Sequence, residues 1–285
     1  YTYVIFALVP FALSIYLSLT ELNEWRINQA RFIGFDNYVW LLTSADSNFF
    51  WSLFRTLYYS LSLPITIFLG LFSSILLTSR VKCKKLWRSI LYIPNVCSSV
   101  GVTMMWKLIF DQDTGLINTM IVAWGGDRIN FFDNFYLFMP LVIFTTTWGA
   151  GAGSILFQAA LEQVNGSLVE AAKVDGANSA QVLFNITLPA ISPTTFYVFI
   201  TSLIGSLQAM GSIQLFANNG YGPKNDEGKP AGLTTVYYMY MMAFVEAKIH
   251  GMGRASACAW LLAIIIIVVT KVSFKLSDYW VCYDN

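Results

Sequence analysis

Charge is scarce in this chain of 285 residues. Lys, Arg, Asp and Glu make up 12% of it and the net charge is +1, which gives no reason to expect nucleic acid as a partner. Histidine is nearly missing: His250 stands alone, which excludes an HExxH zinc site, weighs against a Ser-His hydrolase and makes a structural role the expectation for it. The four cysteines form no CxxC or other metal pattern. Cys83 lies in a basic stretch, Cys97 and Cys258 in apolar runs and Cys282 near the end, so neither a disulfide framework nor a metal site is expected. No GxxxxGK[ST] phosphate loop is present. The richest glycine run, Gly149 to Ser154, has no lysine and sits in an apolar span, where Gly149 and Gly153 form a small-xxx-small pair suited to helix contact. No acid, base, nucleophile or metal cluster marks a membrane enzyme, and any ATP must be hydrolysed by another polypeptide.

Apolar residues are what the chain has instead. They make up 56%, with a mean hydropathy of +0.58, too apolar for an ordinary soluble domain. Six stretches approach the roughly 20 helical residues that cross a bilayer: 1–19, 57–77, 89–109, 137–160, 194–217 and 255–274. They are expected to be helices, because an open strand in lipid leaves backbone groups unpaired and a barrel would show short alternating segments. Tyr1 already lies inside an apolar run, so further residues are expected before it.

Sidedness rests on the stretch from Arg80 to Arg88. Arg80, Lys82, Lys84, Lys85 and Arg88 face no acidic residue there, which assigns the loop to the cytoplasm. Alternation then puts both termini and the 161–193 loop inside, with 20–56, 110–136 and 218–254 outside. Charged residues are nearly missing from the spans, Arg55 and Lys107 being placed near outer ends where they can snorkel. Neutral polar groups replace them: Asn95, Ser98, Ser99 and Thr103, then Thr145 to Thr147, then Ser202, Ser206, Gln208, Ser212 and Gln214. With an aromatic such as Trp148 they suit an uncharged, hydroxyl-rich solute, although Ser, Thr and Gln also serve as interhelical contacts worth about 0.6 kcal/mol each.

The inner loop carries the most specific pattern. Glu170-Ala171-Ala172 is followed by three residues, Gly176, nine residues and then Ile186-Thr187-Leu188-Pro189. By residue type it reads as two short helices. Ser167 and Glu170 form a candidate capping box, Asp175-Gly176 a break, and Asn178 or Ser179 a second cap before Val182, Leu183 and Ile186. Pro189 and Pro193 end it.

This pattern resembles the EAA loop of binding-protein-dependent ABC importers, and Asp175-Gly176-Ala177 resembles the form found in sugar permeases. The likeness extends to Gly34-Phe35-Asp36-Asn37-Tyr38 (the family's GxxNY) and to Ile213-Gln214-Leu215 with Gly220-Tyr221-Gly222-Pro223, where the family has a tighter Gly-Gly-Pro. The resemblance implies an all-α integral membrane fold, six transmembrane helices in the type I importer arrangement, as a single permease domain over 1–285. Within it, 161–190 would be a cytoplasmic coupling loop, with Glu170, Ala171, Ala172, Asp175, Gly176, Ala177 and Leu183 docking to an ATPase. It also implies a second homologous permease, two ATPase subunits that bind ATP and Mg, an extracytoplasmic sugar-binding protein and residence in a bacterial or archaeal inner membrane. No cofactor is expected in this chain. By register with maltose-type permeases, Trp148, Gly149 and Ala152, then Ser202, Gly205, Ser206 and Ala209, would line the solute path, with Gln208 beside them. An aromatic and two asparagine-type contacts of that relative are Gly205, Ser206 and Ala209 here. The expected solute is a carbohydrate, an oligosaccharide by preference. The alternatives are another polyol-like solute such as glycerol phosphate, which the dearth of cations opposes, and an ion-driven secondary transporter, which would want intramembrane acids or broken helices in repeated positions.

Overall fold

The computed structural model describes residues 2, 4–22, 30–78, 82–218, 220–246 and 251–282. Tyr1, Arg80 and His250 lie outside the described residues, as does the side chain of Ala152. Among the described residues the chain is helical apart from one short antiparallel pair, Thr20–Glu21 with Arg31–Phe32, and an isolated bridge between Lys224 and Pro230. It divides into two compact units. The first holds Tyr1–Tyr59, Phe132–Met139 and Leu207–Val269; the second holds Ser60–Phe131, Pro140–Ser206 and Thr270–Asn285.

In the first unit a cluster of Leu41, Phe49, Leu233, Tyr238, Met242 and Cys258 forms the core. The Gly34 to Tyr38 stretch pins its edge. Gly34 takes φ +61°, a left-handed turn that a side chain would strain, and delivers Asn37 to a fully buried position. The Asn37 amide donates to the carbonyls of Ser18 and Thr20, 2.9 Å each, while the Tyr38 hydroxyl donates to Ser18 Oγ at 2.8 Å. Gly253 lies against the same Thr20 carbonyl so closely that a Cβ would come within 2.2 Å of it. The family-like Asn-Tyr pair is therefore a structural clasp.

Arg55 departs from the expectation that it snorkels. It is buried, its Nε donating 2.6 Å to the Ala231 carbonyl, with the rings of Trp51, Tyr58 and Phe135 around the guanidinium. Trp51 donates to the Pro230 carbonyl and Thr56 Oγ1 accepts from the Thr235 amide. One face of the Phe49–Tyr59 helix thus grips the 230–235 segment, which holds Arg55 inward against its preference for water.

The second unit is built on Phe157, Ile191 and Val198, with Ile67, Leu71 and Leu188 packed beside them. Ser74, fully buried, donates to the Ser154 carbonyl at 2.9 Å and to Gly70 at 2.6 Å, so its hydroxyl is satisfied where no water reaches. At the other end Phe196, Ile200 and Val281 cluster, and the Cys282 amide donates to Ser192 Oγ.

Two helices are long and apolar enough to cross a membrane by length and composition: Phe49–Thr78 and Gly251–Ser277. A bent pair, Ser179–Ala190 and Ser192–Leu207 at 66°, makes a third if taken as one span. Only 17% of the most apolar window of Gly251–Ser277 is buried, so its Ile and Val side chains face outward, which hydrocarbon tolerates and water does not. The other expected spans are interrupted. The stretch 89–109 runs as Lys84–Val96, with Pro94 in its last turns, then an extended Cys97 and a new helix Ser99–Ile109. The stretch 137–160 runs as Phe135–Thr147, one 3₁₀ turn at Trp148–Ala150, then Gly151–Gln163. Thr145, Thr146 and Thr147 each bond a carbonyl three or four residues back, and the glycines that follow are weak helix formers, which together favour the tighter turn. The stretch 194–217 breaks at residues 208–210 between Ser192–Leu207 and Gly211–Phe216. The first stretch is described as helix from Val4 to Ser18.

Candidate functional site: a capped inner loop and a broken helix

The loop after Gln163 folds as its residues direct, with one correction. Its first helix, Gly166–Val174, is capped by Asn165, whose Oδ1 accepts from the Ser167 amide at 3.0 Å and from the Ser167 hydroxyl at 2.8 Å. The helix starts earlier than a Ser167–Glu170 box requires, so Ser167 already lies in the first turn and Glu170 is left exposed rather than used as a cap.

The helix ends in a Schellman turn. The Ala177 amide donates to the Ala172 carbonyl at 2.9 Å and the Gly176 amide to the Lys173 carbonyl at 3.2 Å. This geometry needs a left-handed residue between them, and Gly176 has φ +86°. The spacing from the Ala pair to the glycine is thereby explained: Ala172 supplies the carbonyl that Ala177 closes on. A second cap follows at once. Asn178 accepts from the Gln181 amide at 2.9 Å while Gln181 Oε1 accepts from the Asn178 amide at 2.8 Å, a reciprocal box around Ser179–Val182. Val182 is buried and Leu183 half-buried, so the second helix is anchored by its apolar face as expected.

Glu170, Ala171, Asp175 and Gly176 are exposed; Ala172 and Ala177 are half-buried. Around them stand apolar side chains that sequence reasoning did not single out: Leu168, Val174 (87% exposed) and Phe184. The capped loop thus leaves these apolar side chains uncovered within the chain itself.

Of the expected path residues, Trp148, Gly149, Gln208 and Ala209 fall at helix breaks, while Ala152, Ser202, Gly205 and Ser206 lie within helices. Trp148 opens the 3₁₀ turn, is 40% exposed, and meets Trp106 edge-on at 5.7 Å; Trp106 also packs on Phe144 and Phe110. Gly149 faces Asn95, and a Cβ there would meet Asn95 Oδ1 at 3.9 Å; at Gly153 it would meet Val198 at 3.6 Å. Both are ordinary contacts with room for a methyl, so close helix approach does not require these glycines. Ala152 continues into the next helix. On Ser192–Leu207, Ser202 is half-buried, Gly205 has open space beside it, and Ser206 is buried with its hydroxyl on the Leu203 carbonyl. Gln208 and Ala209 lie past the end of that helix, Gln208 exposed and Ala209 accepting from Thr234 Oγ1 at 2.7 Å. Gln208 therefore stands outside the helix that carries Ser202 and Ser206. The Gly151–Gln163 and Ser192–Leu207 helices meet through Phe157, Ile191 and Val198.

Among the described residues of this unit, two buried donors have no protein acceptor, Trp106 Nε1 and Gln158 Nε2. Gln158 Oε1 is approached by the Tyr92 hydroxyl at 3.5 Å. Neither stands out in the sequence, where Gln158 reads as the polar side of an ordinary helix.

Residues 49–281 match the family described as "Binding-protein-dependent transport system inner membrane component". The probable ABC transporter permease protein YesP of Bacillus subtilis (strain 168) is 31% identical over 98% of this chain and 88% of its own length. The arabinooligosaccharides transport system permease protein AraP of the same organism is 31% identical over 97% and 85%. A permease named for sn-glycerol-3-phosphate, UgpA of Escherichia coli O157:H7, is 28% identical over 99% and 92%. Among solved structures, a bacterial ABC transporter involved in the import of the acidic polysaccharide alginate superposes with a TM-score of 0.77, at 26% identity over 97% of this chain and 91% of that one. The chain belongs to the family of binding-protein-dependent transport system inner membrane components, the ABC importer permeases.

Proposed function

We propose that the chain is one of two permease subunits of an importer that takes up a carbohydrate, an oligosaccharide by preference, through six membrane-crossing segments in the type I arrangement. The observation that carries the transport reading is the doubly capped 165–190 loop with its exposed apolar residues. It is a rigid lever with a face left for a partner. ATP and Mg would be bound by two separate ATPase subunits, and closing them would move this loop and the helices it continues into. Both termini and the loop would be cytoplasmic, and an extracytoplasmic binding protein would deliver the solute to the opposite side.

The carbohydrate is supported by relatives named for arabinooligosaccharides and by the alginate importer's likeness. It is also supported by the make-up of the breaks at 97–98, 148–150 and 208–210, where Ser98, Trp148, Gln208 and small residues stand without a cation. A relative named for sn-glycerol-3-phosphate keeps that solute as the second reading, but a phosphate would want a positive partner at this depth. Broken helices occur here as an ion-driven carrier would show, yet the breaks at 97–98, 148–150 and 208–210 contain no acidic residue to hold an ion. The test is to purify the assembled complex with its binding protein and measure uptake of radiolabelled oligosaccharides and glycerol 3-phosphate into proteoliposomes. Uptake of glycerol 3-phosphate and of no oligosaccharide would reverse the order.

A further inference from the structure

The basic stretch that orients the chain has a second feature that transport leaves unused. The Lys84–Val96 helix is exposed along most of its length and divides sharply by character: Lys84, Lys85 and Arg88 at its start, then Trp87, Ile90, Leu91 and Ile93. On a helix, positions 84, 87, 88 and 91 share a face. That face borders a groove of about 570 Å³ whose wall includes Leu69, Phe72, Leu76, Leu77, Trp87, Leu91 and Trp148. Ser73 and Thr147 are its polar side chains. Lys84 lies beside that wall: its Nζ donates 3.2 Å to the carbonyl of Thr78, the residue that follows Leu77.

We propose that this groove holds an acyl chain of an anionic phospholipid, with the headgroup phosphate on Lys84 and Arg88. A trough walled by apolar side chains, with Lys84 held beside Leu77 of that wall and Arg88 one turn further along the helix, has the polarity of that lipid. A helix of a partner subunit would fill the trough but give the ammonium and guanidinium no counter-charge. The setting fits as well. Lys82, Lys84, Lys85 and Arg88 follow directly on the membrane-crossing Phe49–Thr78 helix, and a juxtamembrane cluster of this kind attracts anionic headgroups electrostatically. An exposed helix with cations in its first turns and tryptophan, isoleucine and leucine beside and after them belongs at the lipid–water boundary. The inference rests on the chain's membership of a membrane family and not on the sugar reading.

The full chain is placed in nanodiscs containing equal parts of phosphatidylcholine and phosphatidylglycerol, one of the two carrying dibrominated chains. Quenching of the Trp87 share of fluorescence is taken as the difference between the native chain and Trp87→Phe. Brominated phosphatidylglycerol should quench that share more than brominated phosphatidylcholine. The preference should fall about fivefold per cation removed in Lys84→Gln and Arg88→Gln at low salt, and persist in Lys84→Arg with Arg88→Lys. Equal quenching by the two lipids, a preference that survives both glutamines, or no quenching of Trp87 by either lipid overturns the proposal. The last result would mean that protein fills the groove. Native mass spectrometry of the unsubstituted chain tests the same point without a tryptophan variant: phosphatidylglycerol must co-purify with it, and must be lost from the double glutamine variant.

Discussion

The Ala177 amide reaches back to the Ala172 carbonyl at 2.9 Å across Gly176, whose φ of +86° makes the closure possible. A proline at 176 is confined near φ −65° and has no N–H for the Lys173 carbonyl, so both turn bonds fail together. Gly176→Pro is expected to leave the chain inserted in the membrane while abolishing solute uptake and binding-protein-stimulated ATP hydrolysis in the complex. Gly176→Asn, which tolerates the left-handed region, should retain most of both, and Gly176→Val should fall between. Unchanged uptake and ATPase activity in Gly176→Pro would remove the loop from the coupling path.

Capping and the proposed docking can be tested apart, because the cap is on Asn165 and the docking role is proposed for Glu170. Asn165→Ala removes the acceptor for Ser167 and should loosen the first helix by about 1 kcal/mol, read as faster amide exchange over 166–174. Glu170→Ala touches no cap and should leave exchange unaltered while weakening ATPase association. Accelerated exchange in Glu170→Ala would return that residue to a capping role.

The inner loop was legible from residue types because its structure is local. Asx caps and a left-handed glycine act within six residues. The cap falls on Asn165, two positions before the expected Ser167. Neither proline stops the chain, since helical structure runs through Pro189 to Ala190 and Pro193 lies in the first turn of Ser192–Leu207. The helical character of the apolar stretches was equally legible. Their breaks were not, because an apolar run reads the same whether or not it bends. The threonines at 145–147 looked like solute groups, yet each turns its hydroxyl to its own helix. Arg55 was misplaced because the carbonyl and rings that hold it come from residues far along the chain. Pairings of that separation leave no trace in a window of sequence.

Sidedness can be tested at the loop itself. Ser167 and Ser179 are exposed, and cysteines placed there should react with a membrane-impermeant maleimide in inverted vesicles and not in intact cells. Labelling of either from outside intact cells would overturn the orientation drawn from the basic stretch.

Acid should loosen the turn after the Ser99–Ile109 helix. Asp111 Oδ1 accepts from the Thr114 amide at 2.9 Å, the Thr114 hydroxyl at 2.9 Å and the Asp113 amide at 3.0 Å, and these bonds hold its carboxyl below the usual range. A lowered carboxyl favours the folded turn above the ordinary value of about 4, and that contribution is lost as pH falls through the lowered one. Proteolysis within 110–115 should therefore rise on acidification in the native chain, while Asp111→Asn should be cut readily at neutral pH. A native chain whose cleavage does not change with pH would deny the turn this role.

Trp148 is the sharpest test of the path. It sits where a helix narrows to a 3₁₀ turn, offers an exposed ring, and rests edge-on against Trp106, whose buried N–H has no protein acceptor. An indole face suits the C–H side of a pyranose, and a free indole donor suits one of its hydroxyls. Trp148→Ala should raise the concentration needed for half-maximal uptake or lower its rate by roughly tenfold, the effect of losing one good contact of about 1.4 kcal/mol. ATP hydrolysis stimulated by the binding protein should largely persist, because the capped loop is untouched. Trp106→Phe keeps the packing and removes only the donor, so it should reduce uptake of a hydroxyl-rich solute without altering assembly. Loss of the assembled complex in Trp148→Ala, with full uptake in Trp106→Phe, would assign both rings to packing and move the path elsewhere.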